Sequence, residues 1–276
     1  MQAERVELRA EAGKVEGGWM RAIEKRLRPY LDENAASLWF EKWLQIHAGG
    51  HPPAYFGLYR LLRTRKDLTR AVSPDKLVVI EGFPRSGNSF ARRAFIMAQG
   101  EGFEVTRVAH HLHVPAQIVL AARWGIPTIL LIRKPRDAVL SLVIRDPISV
   151  DQALKYYVSF YETAEEYRDA CVLGRFEDVT GDFGRVMQRL NDRFGTRFCV
   201  FHHDEEIVNE LFAGMEAQAR KRYGEKLWER KVQRPATARE RIKDEIEYDS
   251  QNPKRKKLIA RAEAVYDRLT NPAPGE

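Results

Sequence analysis

The sequence predicts an α/β fold with three layers, in which a parallel β-sheet lies between helices and both ends of the chain add further helices. Three observations favour this fold. Short β-branched and apolar runs alternate with segments whose apolar residues recur at helical spacing. Strands that alternate with helices favour a parallel sheet. The run at 128–132 has no polar residue after its first position, which is typical of a parallel strand buried on both faces.

The apolar pattern in the N-terminal part of the chain predicts helices, and the first predicted strand follows them. Residues 19–64 carry apolar residues at helical spacing and are divided by a Gly-Gly-His-Pro-Pro break at 49–53, which predicts two or three helices. The β-branched run at 77–80 predicts the first strand. A Pro-Arg-Ser-Gly turn and a helical pattern from Phe90 to Ala98 come directly after it. This order of strand, glycine loop and helix is typical of a nucleotide-binding βαβ unit.

The remaining core continues the alternation of strands and helices, and the chain after about Asp204 predicts helices again. The predicted core elements are, in order, a strand over about 104–109, a helix over 115–123, a strand over 128–132, helices that begin near Pro135 and Ser149, a strand over about 172–176 and a helix over 182–194.

The composition indicates an anionic partner and a cytoplasmic location. The 46 Lys and Arg residues against 39 Asp and Glu residues give a formal net charge of +7, which nucleic acid, a membrane surface or a phosphorylated ligand would suit. Residues 220–261 hold this excess, with 15 Lys and Arg against 7 Asp and Glu. Two cysteines, no apolar leader and no apolar run of membrane-spanning length predict a cytoplasmic protein with no integral membrane segment.

The segment after the first strand has the glycine spacing of a phosphate-binding loop. Gly82 and Gly87 bracket four residues, but Asn88 stands where the P-loop motif has its lysine. Backbone N–H groups and the positive end of the following helix can hold a phosphate without that lysine. Arg85 supplies a cation three positions earlier. The alternative is a tight turn with a surface arginine.

The third predicted strand ends in cations. In a P-loop nucleoside triphosphatase, the corresponding apolar strand would end in an acidic residue for Mg²⁺. Here the run at 128–132 is followed by Arg133-Lys134-Pro135-Arg136, with the hydroxyl of Ser141 further on. Open α/β sheets bind ligands at the carboxyl ends of strands, so these groups predict a second anion site, unless they form only a solvated loop that caps a helix. Two anion sites predict a nucleotide that has phosphate at both ends.

These segments resemble the sulfotransferases that use 3′-phosphoadenosine 5′-phosphosulfate as their sulfuryl donor. Residues 82–90 are similar to the family's 5′-phosphosulfate loop. Residues 132–141 are similar to its 3′-phosphate signature, in which the Arg-to-Ser spacing, the proline and the Asp-Ala pair all match. Residues 174–179 are similar to a weaker strand-end motif of the family. The resemblance covers about residues 77–200.

The resemblance implies a P-loop nucleoside triphosphate hydrolase-like topology and a single sulfotransferase-like domain. Arg85 and Phe90 stand where the cytosolic small-molecule branch usually has lysine and tryptophan, so the bacterial and carbohydrate-type branch is favoured. The domain would span 1–276, with a helical N-terminal addition (1–70), a nucleotide-binding core (77–200) and a helical, basic C-terminal part (204–276).

The resemblance also implies the donor site, with adenosine 3′,5′-bisphosphate as the product and no metal. Arg85 would stabilise the leaving 5′-phosphate, while Arg133 and Ser141 would bind the 3′-phosphate. Phe90 and Phe176 would lie near the adenine, unless they are ordinary core aromatics. The complete implied set is Pro84, Arg85, Ser86, Gly87, Asn88, Ser89, Phe90, Arg133, Ser141, Phe176, Arg234 and Arg239.

A histidine cluster after the second predicted strand offers a general base for an acceptor hydroxyl. Histidine suits this role because its ordinary pKa lies near working pH. His113, followed by Val-Pro, best matches the family's His-Leu-Pro segment, and His111, which would face the same side of an extended chain, is the substitute. A capping or solvated role is the alternative for each. A metal site is disfavoured because no Cys or carboxylate lies at ligand spacing.

The sequence therefore predicts an enzyme, a sulfotransferase that acts on a hydroxyl or amine of a small-molecule or carbohydrate acceptor, with no nucleic-acid partner. Two other functions stay open. One is a P-loop kinase of a small metabolite that uses ATP and Mg²⁺, which Asn88 and the basic end of the third strand disfavour. The other is a non-enzymatic nucleic-acid-binding protein that uses the basic C-terminal part, which has no recognisable nucleic-acid module.

Overall fold

The computed structural model describes residues 35–62, 68–224, 243, 246–249 and 251–271. The strands within these ranges are β1 (Val78–Gly82), β2 (Val108–His110), β3 (Thr128–Ile132) and β4 (Val172–Arg175). The α-helices within them are α1 (Ala35–His47), α2 (Pro52–Leu62), α3 (Asn88–Gln99), α4 (Pro115–Trp124), α5 (Pro135–Arg145), α6 (Val150–Glu165), α7 (Phe176–Gly181), α8 (Phe183–Phe194), α9 (Glu205–Tyr223) and α10 (Pro253–Thr270).

The four strands form one parallel sheet in the order β2-β1-β3-β4. Ile80 of β1 is paired with His110 of β2 on one side and with Ile129 of β3 on the other. β3 pairs in turn with β4, where Ile132 lies opposite Arg175. The predicted parallel sheet is confirmed. Because the strands run in one direction, the segments that follow β1, β2 and β3 all begin at the same edge of the sheet.

Helices pack on both faces of the sheet because successive side chains of a strand point in opposite directions. Ile80 and Leu131 lie on one face, in an apolar core shared with α3, α8 and α9. Leu130 and Ile132 lie on the other face, in a core shared with α5, α6 and α10. Val79 belongs to this second face, where residues of α1, α2 and α4 surround it. The sheet therefore lies between two layers of helices, as the sequence predicts.

β2 is shorter than predicted. The segment expected to be a strand over 104–109 begins as a 3₁₀ turn at Val105–Arg107, and only Val108–His110 pairs with β1. Upstream of β1, the pairing ends at the Leu77 N–H, which donates to the Arg107 carbonyl at 2.9 Å. The chain before Leu77 turns away, so that the Lys76 N–H donates to a carbonyl of its own turn, 3.0 Å away.

The helices α1, α2 and α10 pack on the second face of the sheet, and part of the C-terminal charge is paired there. α10 lies along α6. The part of the predicted N-terminal helical pattern that precedes residue 35 falls outside the described residues. None of the described helices combines the length and the apolar character that a membrane crossing needs. The ion pairs between α10 and α6 are Arg255–Asp151, Arg261–Glu162 and Arg268–Glu165.

Candidate anion site and histidine cluster at the carboxyl edge of the sheet

The chain between β1 and α3 forms a tight loop at the carboxyl edge of the sheet. A Cβ at Gly82 would lie 2.3 Å from the carbonyl oxygen of Leu131, so only glycine lets β1 and β3 approach this closely. Gly87, at the N-terminus of α3, has a φ of 90°, in the left-handed region that favours glycine. The buried Ser86 places its Oγ 3.2 Å from the hydroxyl of Tyr161. The loop is thus held in place by Tyr161 of α6, and the N-terminus of α3 lies at the sheet edge.

Asn88, which replaces the P-loop lysine, closes the loop internally. Its side chain is buried, and its Nδ2 donates to the Phe83 carbonyl at 3.0 Å. Its Oδ1 is also buried and has no hydrogen-bond partner among the described residues. The asparagine amide carries no charge and its Nδ2 is used within the loop, so the positive charge of the loop comes from Arg85.

Arg85, Ser141 and Arg133 meet at this edge. The Arg85 Nε donates to the Ser141 Oγ at 2.8 Å, and the Arg133 guanidinium donates to the Arg85 carbonyl at 3.3 Å. The Arg133 guanidinium also lies over the ring of Phe176, 4.0 Å from its centroid. The structure therefore brings together residues of the two predicted anion sites. Two guanidinium groups and a hydroxyl beside a helix N-terminus have the chemistry of a phosphate- or sulfate-binding site.

The other residues of the predicted donor set are distributed differently. Pro84 is buried within the loop. Phe176 begins α7, so β4 ends one residue earlier than predicted. The half-buried ring of Phe176 lies against Gly87 and under the Arg133 guanidinium. Phe90 is buried in an aromatic cluster, which agrees with its alternative as a core residue. Arg234 and Arg239 lie outside the described residues.

His113 has the geometry of a neutral base. Its Nδ1 lies 2.8 Å from the carbonyl oxygen of Gly82, and its own carbonyl accepts from the Tyr156 hydroxyl at 2.6 Å. Because a carbonyl can only accept, Nδ1 carries the proton and Nε2 carries the lone pair. Burial holds the pKa of His113 well below its ordinary value, so the ring stays neutral. Within the described residues, Nε2 has no hydrogen-bond partner and is available to accept a proton.

His111 is engaged at both ring nitrogens. Its Nε2 lies 2.9 Å from the Ser89 Oγ, and its Nδ1 lies 2.8 Å from the Nδ1 of His110. Burial, and after it the positive charge of Arg92, lower the pKa of His111 to about 3. When His110 donates to His111, the His111 Nε2–H donates to Ser89 and leaves the serine hydroxyl free to donate to an anion. His111 therefore fits a role in orienting Ser89 better than the role of base.

The residues predicted to carry the chemistry have an unusual backbone. Among the described residues, Arg85, His111 and His113 are the non-glycine residues with positive φ, at 73°, 56° and 55°. The sequence expectation of an extended chain through His111 and His113 is therefore wrong, because β2 ends at His110 and the backbone turns left-handed. Such conformations cost about 1–3 kcal/mol each and cluster at functional sites, where surrounding contacts maintain them.

We expect the Arg85→Gly variant to be more stable than the Arg85→Ala variant by about 1 kcal/mol, because alanine is strained at positive φ and glycine is not. Both variants lack the guanidinium, so chemical denaturation of the pair reports the backbone alone. The same pair of substitutions at Arg136, within α5, should give the opposite order. Equal stabilities of the two Arg85 variants would contradict a left-handed backbone at this position.

Glu81 supports the histidine segment and was missed by the sequence reasoning, which ended the first strand at Ile80. This fully buried carboxylate accepts from the N–H of Gly82 at 3.1 Å, the N–H of Leu112 at 3.0 Å and the Nε2 of Gln117 at 2.7 Å. Its Oε1 also lies 3.5 Å from the Nδ1 of His113. Burial raises the pKa of Glu81, and although these three N–H donors and the backbone N–H of His113 oppose the rise, the pKa is about 7.

The raised pKa of Glu81 predicts a pH-dependent stability. A carboxyl group whose pKa is higher in the folded state contributes most below its unfolded pKa, and this contribution is lost as the pH rises through the folded value. Relative to Glu81→Gln, the free energy of unfolding of the native chain should fall between about pH 4.5 and about pH 7, by about 3 kcal/mol at most. Denaturation of both proteins across this range measures the difference. A pH-independent difference would show that the carboxyl group titrates normally.

Three tyrosines of α6 hold the loops of the site through hydrogen bonds to backbone carbonyls, a role that the sequence did not predict. Tyr156 donates to the His113 carbonyl, and Tyr157 donates to the Arg133 carbonyl at 2.7 Å. Tyr161 donates to the Leu131 carbonyl at 2.8 Å, and its oxygen lies 3.3 Å from the backbone nitrogen of Phe83. The only sequence signal was the density of aromatic residues in this helix, which equally predicts a packed core.

Comparison with known proteins adds no name to this site: no protein-family model matches the sequence, and a search of curated proteins finds no match. Among the residues that the structure describes, no three His, Cys, Asp or Glu side chains are arranged to hold a metal ion.

Proposed function

We propose that this protein is a sulfotransferase that takes a sulfuryl group from 3′-phosphoadenosine 5′-phosphosulfate and transfers it to a hydroxyl or amine. The observation that carries the proposal is the meeting of Arg85, Arg133 and Ser141 at the carboxyl ends of β1 and β3. The proposal includes the P-loop nucleoside triphosphate hydrolase-like topology, the sulfotransferase-like domain and the cytoplasmic location that the sequence predicts.

The residues at the edge fit a donor that carries two anionic groups. Arg133, stacked on Phe176, would bind the 3′-phosphate together with Ser141, as a planar guanidinium suits a phosphate. The N–H groups at the start of α3 and the Ser89 hydroxyl would hold the 5′-phosphate. Arg85, in the loop that leads into α3, contacts Ser141 directly and so joins the two sets of groups.

The chemistry supplied by the bound donor is an SO₃ group, whose bond to the 5′-phosphate oxygen breaks as a bond to the acceptor oxygen or nitrogen forms. Arg85 stabilises the negative charge that the departing phosphate gains. The Nε2 of His113 takes the proton of the acceptor, and its Nδ1–H bond to Gly82 keeps the ring oriented. Positioning and fixed positive charge carry most of this kind of reaction.

Two structural observations make the alternatives less suitable. A P-loop kinase needs a lysine on the phosphates, whereas Asn88 is turned into the loop and bonded to Phe83. A nucleic-acid-binding protein needs free cations on a surface, whereas three arginines of α10 are paired with acidic residues of α6.

Calorimetric titration with adenosine 3′,5′-bisphosphate and, separately, with ATP and Mg²⁺ tests the donor half of the proposal. We expect the bisphosphate to bind at least about tenfold more tightly. Tighter binding of ATP with Mg²⁺ would favour the kinase, and tight, steeply salt-dependent binding of DNA or RNA would favour the third function. Transfer of labelled sulfate from the donor to a panel of alcohols, phenols, sugars and amines tests the other half.

A further inference from the structure

Arg92 is a half-buried cation that neither the fold nor the proposed donor site uses. It lies on α3, three residues after Ser89 and therefore on the same side of the helix. Its Nε is buried and has no hydrogen-bond partner within the described residues, and none of their ion pairs includes Arg92. Buried polar groups are almost always paired, so an unpaired guanidinium nitrogen at a sheet edge needs an explanation.

The surroundings of Arg92 are positively charged. Burial lowers the pKa of Arg92, and the charges of Arg93 and Arg70 lower it further. Burial is the main cause that lowers the pKa of His110 and His111, and the charges of Arg92 and Arg70 act on both in the same direction. Arg92 is therefore repelled by the like charges of Arg93 and Arg70, and a bound anion would offset this repulsion.

The position of this cluster places it beside the proposed reaction, on the side away from the 3′-phosphate site. The carbonyl of Arg70 accepts from the His110 N–H at 3.0 Å, and His110 contacts His111, which contacts Ser89. β2, which ends in this cluster, and β3, which ends in Arg133, flank β1 on opposite sides. The cluster thus lies on the histidine side of the phosphate loop, where the acceptor has to approach a base.

We propose that Arg92, with Arg70 beside it, binds an anionic group of the acceptor, so that the acceptor is an acidic alcohol, phenol or sugar whose carboxylate, sulfate or phosphate lies against α3. That the bound anion belongs to a sulfuryl acceptor rests on the proposed sulfotransferase function, whereas the anion site itself does not. A guanidinium can bind each of these anions through two parallel hydrogen bonds. The histidines stay neutral in this environment and leave the positive charge to the arginines.

The test compares acceptors that differ by one anionic group. Glucuronate is compared with glucose, and 4-hydroxybenzoate with phenol, in transfer assays and in calorimetric binding to the full chain. We expect kcat/KM for the anionic member to exceed that of the neutral member by at least about tenfold, because the anionic group pairs with Arg92. Arg92→Gln should abolish this preference, and Arg92→Lys, which keeps the charge, should retain part of it.

Arg93→Gln is the matched control, because it removes the same charge from the next residue, whose guanidinium donates instead to Gln218 of α9. We expect it to change the preference by less than about threefold. Arg92→Gln should also leave the affinity for adenosine 3′,5′-bisphosphate within about threefold of the native value. A tenfold or larger loss of that affinity would assign Arg92 to the nucleotide and overturn the inference.

The two arms separate failure of the inference from failure of the proposed function. Transfer that is equally good with neutral members, or a preference that survives Arg92→Gln, overturns the anion site and leaves the sulfotransferase. Binding of glucuronate or 4-hydroxybenzoate that depends on Arg92, without transfer to any acceptor, supports the anion site and counts against the sulfotransferase. Absence of anion binding in calorimetry overturns the inference, whatever the transfer assay gives.

Discussion

His113→Asn should lower kcat for sulfuryl transfer by about 10²- to 10⁴-fold, the range that a positioned general base contributes. Asparagine tolerates the left-handed backbone and can place its amide where the histidine Nδ1 donates to Gly82, so the segment should keep its shape. What it removes is the Nε2 lone pair. The affinity for adenosine 3′,5′-bisphosphate should stay within about threefold of the native value, since the variant changes no phosphate contact.

His111→Asn serves as the matched control two residues away, at almost the same φ. It breaks the contact to Ser89, so we expect weaker nucleotide binding with kcat largely retained. If instead the His111 variant loses kcat and the His113 variant keeps it, His111 is the base.

The pH profile of sulfuryl transfer by the native protein provides a second measurement of the proposed role of His113. A base must be unprotonated to act, and burial holds the pKa of His113 below its ordinary value of 6.5. The rate should therefore stay level as the pH falls through 6.5 and decline only at more acidic pH. A decline centred at or above 6.5 would show that another group takes the proton.

The parts of this fold that the sequence predicts well are those fixed by neighbouring residues. β3 lies at 128–132 as expected, because a short apolar run of this length, between Pro127 and a basic turn, is typical of a parallel strand buried on both faces. The helix expected near Ser149 begins with a complete capping box between Ser149 and Gln152. The tight loop between β1 and α3 also lies where the sequence predicts it, because Gly82 and Gly87 stand where a close strand contact and a left-handed backbone need glycine.

The parts that the sequence hides depend on partners far along the chain. A carboxylate normally ends an apolar strand, yet Glu81 continues β1 because its donors come from Leu112 and Gln117, more than 30 residues later. The contact between Arg85 and Ser141 joins residues 56 positions apart, so spacing alone leaves the two anion sites separate. Three-dimensional proximity, rather than residue type, determines these parts of the site.

Arg133→Ala should weaken the binding of adenosine 3′,5′-bisphosphate by about 2–4 kcal/mol, or about 30- to 900-fold, since it removes the charged partner of a phosphate. The guanidinium is held in place by the ring of Phe176 and by its bond to the Arg85 carbonyl, so little ordering is left for the ligand to impose. Lys134→Ala is the matched control, because it removes an exposed cation from the next residue. Its effect should stay within about threefold.

Adenosine 5′-phosphate, which lacks the 3′-phosphate, completes the design as a double-mutant cycle between residue and ligand. If Arg133 binds the 3′-phosphate, Arg133→Ala should weaken binding of this monophosphate by less than about threefold, while it weakens the bisphosphate strongly. Equal losses of affinity for both ligands would show that Arg133 binds the 5′-phosphate or supports the loop through its bond to the Arg85 carbonyl. The cycle therefore separates direct recognition of the 3′-phosphate from support of Arg85, two roles that the single substitution removes together.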